Sequence, residues 1–215
     1  MNNPFDKYTL EYDKWYDKNK YIFLSELKCI KKTIGSLKNK KSIEIGVGTA
    51  RFAEKLNIKY GVDISKNALK IAQKRKVKTY LSKAEKLPFK DEEFDCAFMI
   101  FSICFFKNPY LAIKEASRIL KKNGTLVITF INGKSKLARY YRKIRHKTIF
   151  YRSAKFYSPQ TLIKIMQKNG FSNFKIFQTL LTPPKELKNL KKVEKTIRGC
   201  HKGGVVVIKG VKKWD

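Results

Sequence analysis

The sequence predicts an α/β fold with a mostly parallel sheet and an antiparallel strand pair towards its C-terminal end. Three observations carry that expectation. Short β-branched or apolar runs alternate with amphipathic helical stretches, the rhythm of a parallel sheet covered by helices. Ser42-Ile43-Glu44-Ile45 runs into Gly46-Val47-Gly48, and Tyr60-Gly61-Val62-Asp63 follows. Two strands thus each deliver an acid to one sheet edge, with a glycine turn between them where backbone can approach a ligand. Residues 94–101 are nearly all apolar, as a central strand buried on both faces requires.

The elements follow in order. Residues 4–37 read as helical, because Tyr8, Tyr12, Trp15 and Tyr16, then Ile22, Phe23, Leu27 and Ile30, recur at helical spacing. A strand at 42–45 leads to a helix at 50–56, and a strand at 60–63 to a helix at 67–74 capped by Ser65. A strand at 77–81 precedes a loop, 82–93, that contains Leu87-Pro88-Phe89. After the apolar strand, Asn108-Pro109 opens a helix that ends at Lys122-Asn123-Gly124, where Gly124 suits a left-handed cap. A strand at 125–130 follows. Ser158-Pro159 starts another helix by cap plus N1 proline, and Asn169-Gly170 ends it. Residues 171–181 and 204–211 read as two strands with no crossover helix between them, so they should pair antiparallel and close the edge as a hairpin. Residues 185–195 are the most linker-like piece, with a solvated helix as the other reading. The expected organisation is one domain: a helical lid at 1–37, a ligand-binding half at 38–131, a basic insert at 132–157, and a C-terminal helix and strand pair at 158–215.

At 215 residues the chain is long enough to bury a good core. No apolar run approaches the roughly 20 residues of a membrane span, and the first residues lack the pattern of a secretory signal; the expected location is cytoplasmic. Of Cys29, Cys96, Cys104 and Cys200, none forms a Cys-x-x-Cys pair, and only His146 and His201 could join them around a metal. Reduced structural thiols and no metal site are expected. The charge is extreme: 49 Lys+Arg against 17 Asp+Glu, a formal +32. Such a field attracts polyanions, although 41 of the 49 are lysines, which compositional drift on solvated faces also produces.

Carboxylates at strand ends favour a ligand with hydroxyls and positive charge over one with phosphates. S-adenosylmethionine has both, in its ribose and in its sulfonium and amino groups. A dinucleotide site fits less well: its third fingerprint glycine would fall on Arg51, and Glu44 would sit near the phosphates.

With these residues the chain resembles the class I S-adenosylmethionine-dependent methyltransferases, in the small-molecule-type branch with the Leu-Pro-Phe loop. The likeness covers residues 4–130 well and the C-terminal strands more loosely. It implies a Rossmann-like, seven-stranded methyltransferase sheet, S-adenosylmethionine as cofactor and S-adenosylhomocysteine as product. By matching position it implies that Glu44, Gly46 and Gly48 hold the methionine end and Asp63 the ribose hydroxyls. Glu85, with Ala84 beside it, falls at the adenine amino group, and Ile64 at the adenine slot. Phe101 and Ser102 would face the methionine part. One departure is Ala50 in place of the loop's third glycine, which costs little unless positive φ is required. The stretches around Phe5-Asp6 and Tyr12-Asp13-Lys14-Trp15-Tyr16 resemble the family's lid, with Tyr12 and Tyr16, four apart, the candidates to shield and contact the sulfonium.

Methyl transfer from a sulfonium needs mainly alignment and exclusion of water, and the sequence names no catalytic base. His146 and His201 read as surface imidazoles. Residues 134–157 hold nine basic residues and no acid, with Arg139, Arg142 and Arg145 at spacing three and aromatics such as Tyr151 interleaved. Arginine forks with aromatic platforms suit phosphates and bases, so Arg139, Arg142 and Tyr151 are candidate acceptor contacts. The other reading is a solvated cap helix whose aromatics pack underneath. The expected function is methyl transfer to a small or medium-sized acceptor, an anionic one being the form the arginines suit. The alternatives are an RNA methyltransferase using the basic face and a non-catalytic nucleic-acid-binding protein on the same fold.

Overall fold

The computed structural model describes residues 4–213. Three helices, α1 (Pro4–Lys7), α2 (Thr9–Lys18) and α3 (Lys20–Ile34), precede the sheet. Then β1 (Ser42–Ile45), α4 (Arg51–Leu56), β2 (Tyr60–Asp63), α5 (Lys66–Lys74), β3 (Lys78–Leu81), β4 (Phe94–Ile100), α6 (Pro109–Ile119) and β5 (Leu120–Ile131) alternate as expected. The chain continues through α7 (Lys136–Ile144), α8 (Pro159–Lys168), β6 (Phe171–Thr179), β7 (Ile197–Arg198) and β8 (Val205–Lys212).

The sheet order is β3-β2-β1-β4-β5-β8-β6-β7. The first five strands pair in parallel and the last three antiparallel. Side chains of β4 alternate between two cores. Phe94, Ala97 and Met99 meet Ile113 and Ala116 of α6 and Leu162 and Met166 of α8. Cys96, Phe98 and Ile100 meet Leu27 and Ile30 of α3, Phe52 of α4 and Leu69 of α5. The central strand is therefore buried on both faces, and the helices cover both sides.

Three expectations are corrected. The sheet has eight strands rather than seven, because Ile197–Arg198 pairs with Phe177 and Gln178 of β6; two residues give no periodicity to read. The C-terminal pair is antiparallel as expected, but β8 lies between β5 and β6, so β7 closes the edge and not a hairpin of the two. Helix α6 ends at Ile119, several residues early, and it is Asn123, at φ 60°, that takes the left-handed conformation. Gly124 has no positive φ. A Cβ there would lie 2.7 Å from the Lys121 carbonyl oxygen, so the site needs glycine for closeness of backbone. Residues 185–195 hold only a short 3₁₀ turn, Leu187–Asn189.

Ala50 is the N-cap of α4 and sits at φ 65°, ψ 27°, the left-handed region. Positive φ is thus required where the third glycine would stand, and the alanine is strained. A non-glycine residue there costs roughly 1–2 kcal/mol, against about 0.5–1 kcal/mol of unfolded-state entropy that glycine would add. Ala50→Gly is expected to raise stability by up to about 1 kcal/mol, read as a higher urea midpoint at unchanged slope.

Candidate active site

The strand order reverses between β1 and β4, and a crevice opens at the carboxyl ends of the strands there, the usual ligand position in such sheets. A cavity of about 770 Å³ occupies it. Gly46, Gly48, Asp63, Ile64, Ala84, Glu85, Phe101 and Tyr12 all line it, so the sheet gathers residues from five separate segments into one place.

Local constraints fix each of them. Gly46 has φ 76°, and a Cβ on it would lie 2.4 Å from the Cβ of Ser102. Ser102 is held there by its Oγ donating to the Ile45 carbonyl at 2.7 Å. Asp63 accepts from the Gly48 N–H at 2.8 Å through Oδ2 and from the Ser65 N–H at 2.9 Å through Oδ1. Each oxygen keeps further acceptor capacity. Glu85 accepts from the Asn108 N–H at 3.0 Å. Phe101, at the end of β4, is left-handed at φ 55°, the kind of strain that collects at ligand sites. Ile64 is 57% exposed at the cavity edge, an apolar surface with no protein partner covering it.

Glu44 does not line the cavity. It is buried, and its Oε2 has no hydrogen-bond partner. Burial pushes its carboxyl well up, and the neighbouring Asp63 charge adds to this. Burial raises Asp63 too, against the backbone N–H groups of Ser65, Gly48 and Ile64. Two raised acids side by side make a position that positive charge would stabilise.

The helices before the sheet roof the cavity. The Phe5 ring meets Tyr12 at 5.2 Å, Phe105 at 4.7 Å and Phe150 at 5.3 Å. Asp6 of α1 accepts from the Ser65 hydroxyl at 2.7 Å, and the Asn67 amide donates to the Asp6 carbonyl at 3.1 Å. Asp13 of α2 accepts from Thr49 Oγ1 at 2.6 Å, Arg51 at 2.9 and 2.7 Å and Arg75 at 2.8 and 2.9 Å. The residue types alone do not announce this cluster, because its members lie up to 62 positions apart.

The other expected contacts are placed differently. Tyr16 is buried in the core, its hydroxyl 3.0 Å from that of Tyr12. Arg139 and Arg142 are exposed and line neither this cavity nor a smaller one beside it, and Arg142 donates to the Gly133 carbonyl at 2.8 Å. The insert's aromatics point inward: Tyr151 lines the smaller cavity and packs on Tyr141 at 4.4 Å. His146 and His201 are exposed and away from both cavities. All four cysteines are free, Cys29 and Cys96 buried and Cys104 and Cys200 half-buried. Among the described residues no His, Cys, Asp or Glu cluster suits a metal, and no helix is long and apolar enough to cross a membrane.

Comparison with known proteins points to one family. Residues 43–128 fit the family model of a methyltransferase domain. A crystal structure of a Thermotoga maritima protein, described as an S-adenosylmethionine-dependent methyltransferase and possible histamine N-methyltransferase, is 41% identical and covers 99% of this chain and 100% of its own, with a TM-score of 0.93. This chain belongs to the class I S-adenosylmethionine-dependent methyltransferases. An uncharacterised protein of Methanocaldococcus jannaschii is 43% identical over 98% of this chain and 99% of its own length. A Haloferax volcanii methyltransferase, solved in complex with the Trm112 methyltransferase activator, shares the fold at 14% identity, covering 100% of both chains with a TM-score of 0.75. The family match and the Thermotoga maritima neighbour support an enzyme and do not favour a purely nucleic-acid-binding role.

In this methyltransferase Asp13 ties α2 to the glycine loop, α4 and α5. Burial pushes its carboxyl up, but hydrogen bonds from Arg75, Arg51 and Thr49 outweigh that and hold it well below the usual carboxylate range. A depressed folded value means the contribution is present above the unfolded value of about 3.9. It is lost as pH falls through the folded one. Asp13→Ala is expected to cost about 2–3 kcal/mol at neutral pH, since it leaves two mostly buried arginines short of a partner. Urea titrations from pH 7 down to pH 2 should show the gap between wild type and variant closing below about pH 4.

Proposed function

We propose that the chain transfers a methyl group from S-adenosylmethionine to a small or medium-sized acceptor, and that the 770 Å³ cavity at the strand-order reversal holds the donor. The single observation that carries this reading is the convergence on that cavity of Asp63, the Gly46–Gly48 turn, Ile64, Ala84, Glu85 and Phe101. S-adenosylmethionine supplies a methyl group already activated by its sulfonium.

The fit to such a donor rests on the acids. Glu44 has an orphaned buried oxygen and a raised carboxyl, and Asp63 is raised beside it. A cationic ligand with hydroxyls relieves both, whereas a pyrophosphate would meet two like charges. In this reading Asp63 takes the ribose hydroxyls on the acceptor capacity that Gly48 and Ser65 leave. Gly46 and Gly48 bring backbone to the amino-acid end, with Glu44 acting from beneath through its charge. Glu85 and Ala84 meet the adenine edge, and Ile64 covers its face. Phe101 and Ser102 flank the methionine part. Tyr12 and Phe5 exclude water from above, and residues 4–37 and 132–157 together act as the roof.

Calorimetry with S-adenosylmethionine and S-adenosylhomocysteine tests the assignment. Asp63→Ala is expected to weaken both by roughly ten- to a hundredfold, the scale of charge-assisted hydrogen bonds lost, with a thermal melt as the check on folding. An affinity equal to wild type would overturn the placement of the ribose.

A further inference from the structure

Beside the donor cavity lies a smaller chamber of about 70 Å³, and Tyr12 and Phe101 line both. Its walls are aromatic: Tyr12, Trp15, Tyr16, Tyr141, Phe150 and Tyr151 contribute rings. Among these walls stands one charged side chain, Glu26 of α3. Glu26 is 5% exposed, and its Oε2 finds no hydrogen-bond partner. Among the described residues no lysine, arginine or histidine lines the chamber. A buried carboxyl without a partner destabilises the fold, and an apolar residue of similar size would serve packing better. Its presence therefore calls for a ligand that completes it.

We propose that this chamber is the acceptor site and that its ligand is a small aliphatic amine, with the nitrogen received by Glu26 between aromatic faces. The proposal rests on the donor reading above, since the shared walls Tyr12 and Phe101 put the chamber next to the donor cavity. An ammonium among aromatic rings gains cation–π attraction, and a lone carboxylate gives it a charge-assisted hydrogen bond. An anionic ligand would face Glu26 with no cation to offset it. The expected anionic acceptor depended on Arg139 and Arg142, which do not line the chamber. The volume holds about five water-sized groups, enough for a short alkylamine or the amino end of a longer one.

The same carboxyl can manage the proton. Burial pushes Glu26 up to about 8. Burial also pushes Tyr12, Tyr16, Tyr141 and Tyr151 up, so they stay neutral and, of these groups, Glu26 alone exchanges its proton around pH 8. An entering ammonium gives one proton to the ionised form of Glu26, and the pair of the broken N–H bond stays on nitrogen as a lone pair. That pair attacks the donor's methyl carbon: the C–N bond forms as the C–S bond breaks, and the sulfur leaves with the bonding pair as a neutral thioether. The nitrogen carries away the positive charge as the N-methylammonium product. Matching the proton acceptor to the working pH is what such a step needs.

Calorimetry on the whole chain tests this with n-butylamine, n-butanol and butanoate, each with and without S-adenosylhomocysteine. Butylamine is expected to bind at least about tenfold more tightly than butanol, with butanoate weaker still. Glu26→Gln should lose at least about tenfold in amine affinity while S-adenosylhomocysteine and butanol bind as before. Glu26→Asp should retain a preference for amine over alcohol. Equal binding of amine and alcohol by the wild type, no amine binding, or an unchanged amine affinity in Glu26→Gln overturns the proposal. Should Glu26→Gln fail to fold, the wild-type contrast between amine and alcohol still decides. Failure of S-adenosylhomocysteine to bind would sink the donor reading instead, because the amine titration without it reads the chamber by itself.

Discussion

The roof over the site depends on a carboxylate that the chain buries at its own expense. Asp13 brings α2 down onto Thr49 in the glycine turn, Arg51 at the start of α4 and Arg75 at the end of α5. Two guanidinium forks converge on two oxygens, so the position of the helix is set in three directions at once. Tyr12 is the adjacent residue, and its place in the cavity wall follows from that anchor. A helix held only by apolar contact could slide by a turn without losing much area. One pinned by bidentate arginines cannot.

Charge is arranged in two layers. The surface carries most of a +32 excess, yet the carboxyls that shape the interior, Glu26, Glu44 and Asp63, lie where burial raises them. Burial disfavours the ionised form of each, so a cationic ligand that favours that form would link occupancy to proton release. The long-range field of the lysines does little there, because the bulk of it is screened by solvent.

Much of this was legible in the residues. Strand–helix alternation placed β1, β2 and β4 and, with them, the acid at Asp63 and the turn at Gly46. The family likeness then put Ile64, Ala84, Glu85 and Phe101 at one rim, and the fold brings them to one cavity. Less was legible where partners lie far apart or elements are too short to have a period. The Asp13 cluster joins residues 13, 49, 51 and 75, and β7 is two residues long. Spacing three gives Arg139 and Arg142 a common face but not which way that face looks, and both stand exposed outside the two cavities. Glu26 was within reach. It stands four residues from both Ile22 and Ile30, so it falls on the apolar stripe of its helix, where an acid has no structural reason to be.

The brevity of the outermost strands has a consequence for the life of the protein in concentrated solution. An open sheet invites a second copy to add its backbone wherever a border offers a long row of free amides and carbonyls. Here β7 (Ile197–Arg198) covers β6 only at Phe177 and Gln178, and the other border is the four-residue Lys78–Leu81; Lys175 on β6 and Lys78 put a cationic side chain on each. The register shift between Ser172 and Lys175 interrupts the open part of β6, β3 is short, and like-charged molecules hold each other at a distance. These features work against strand addition at the sheet borders, while the cavity at the strand ends stays open to small ligands.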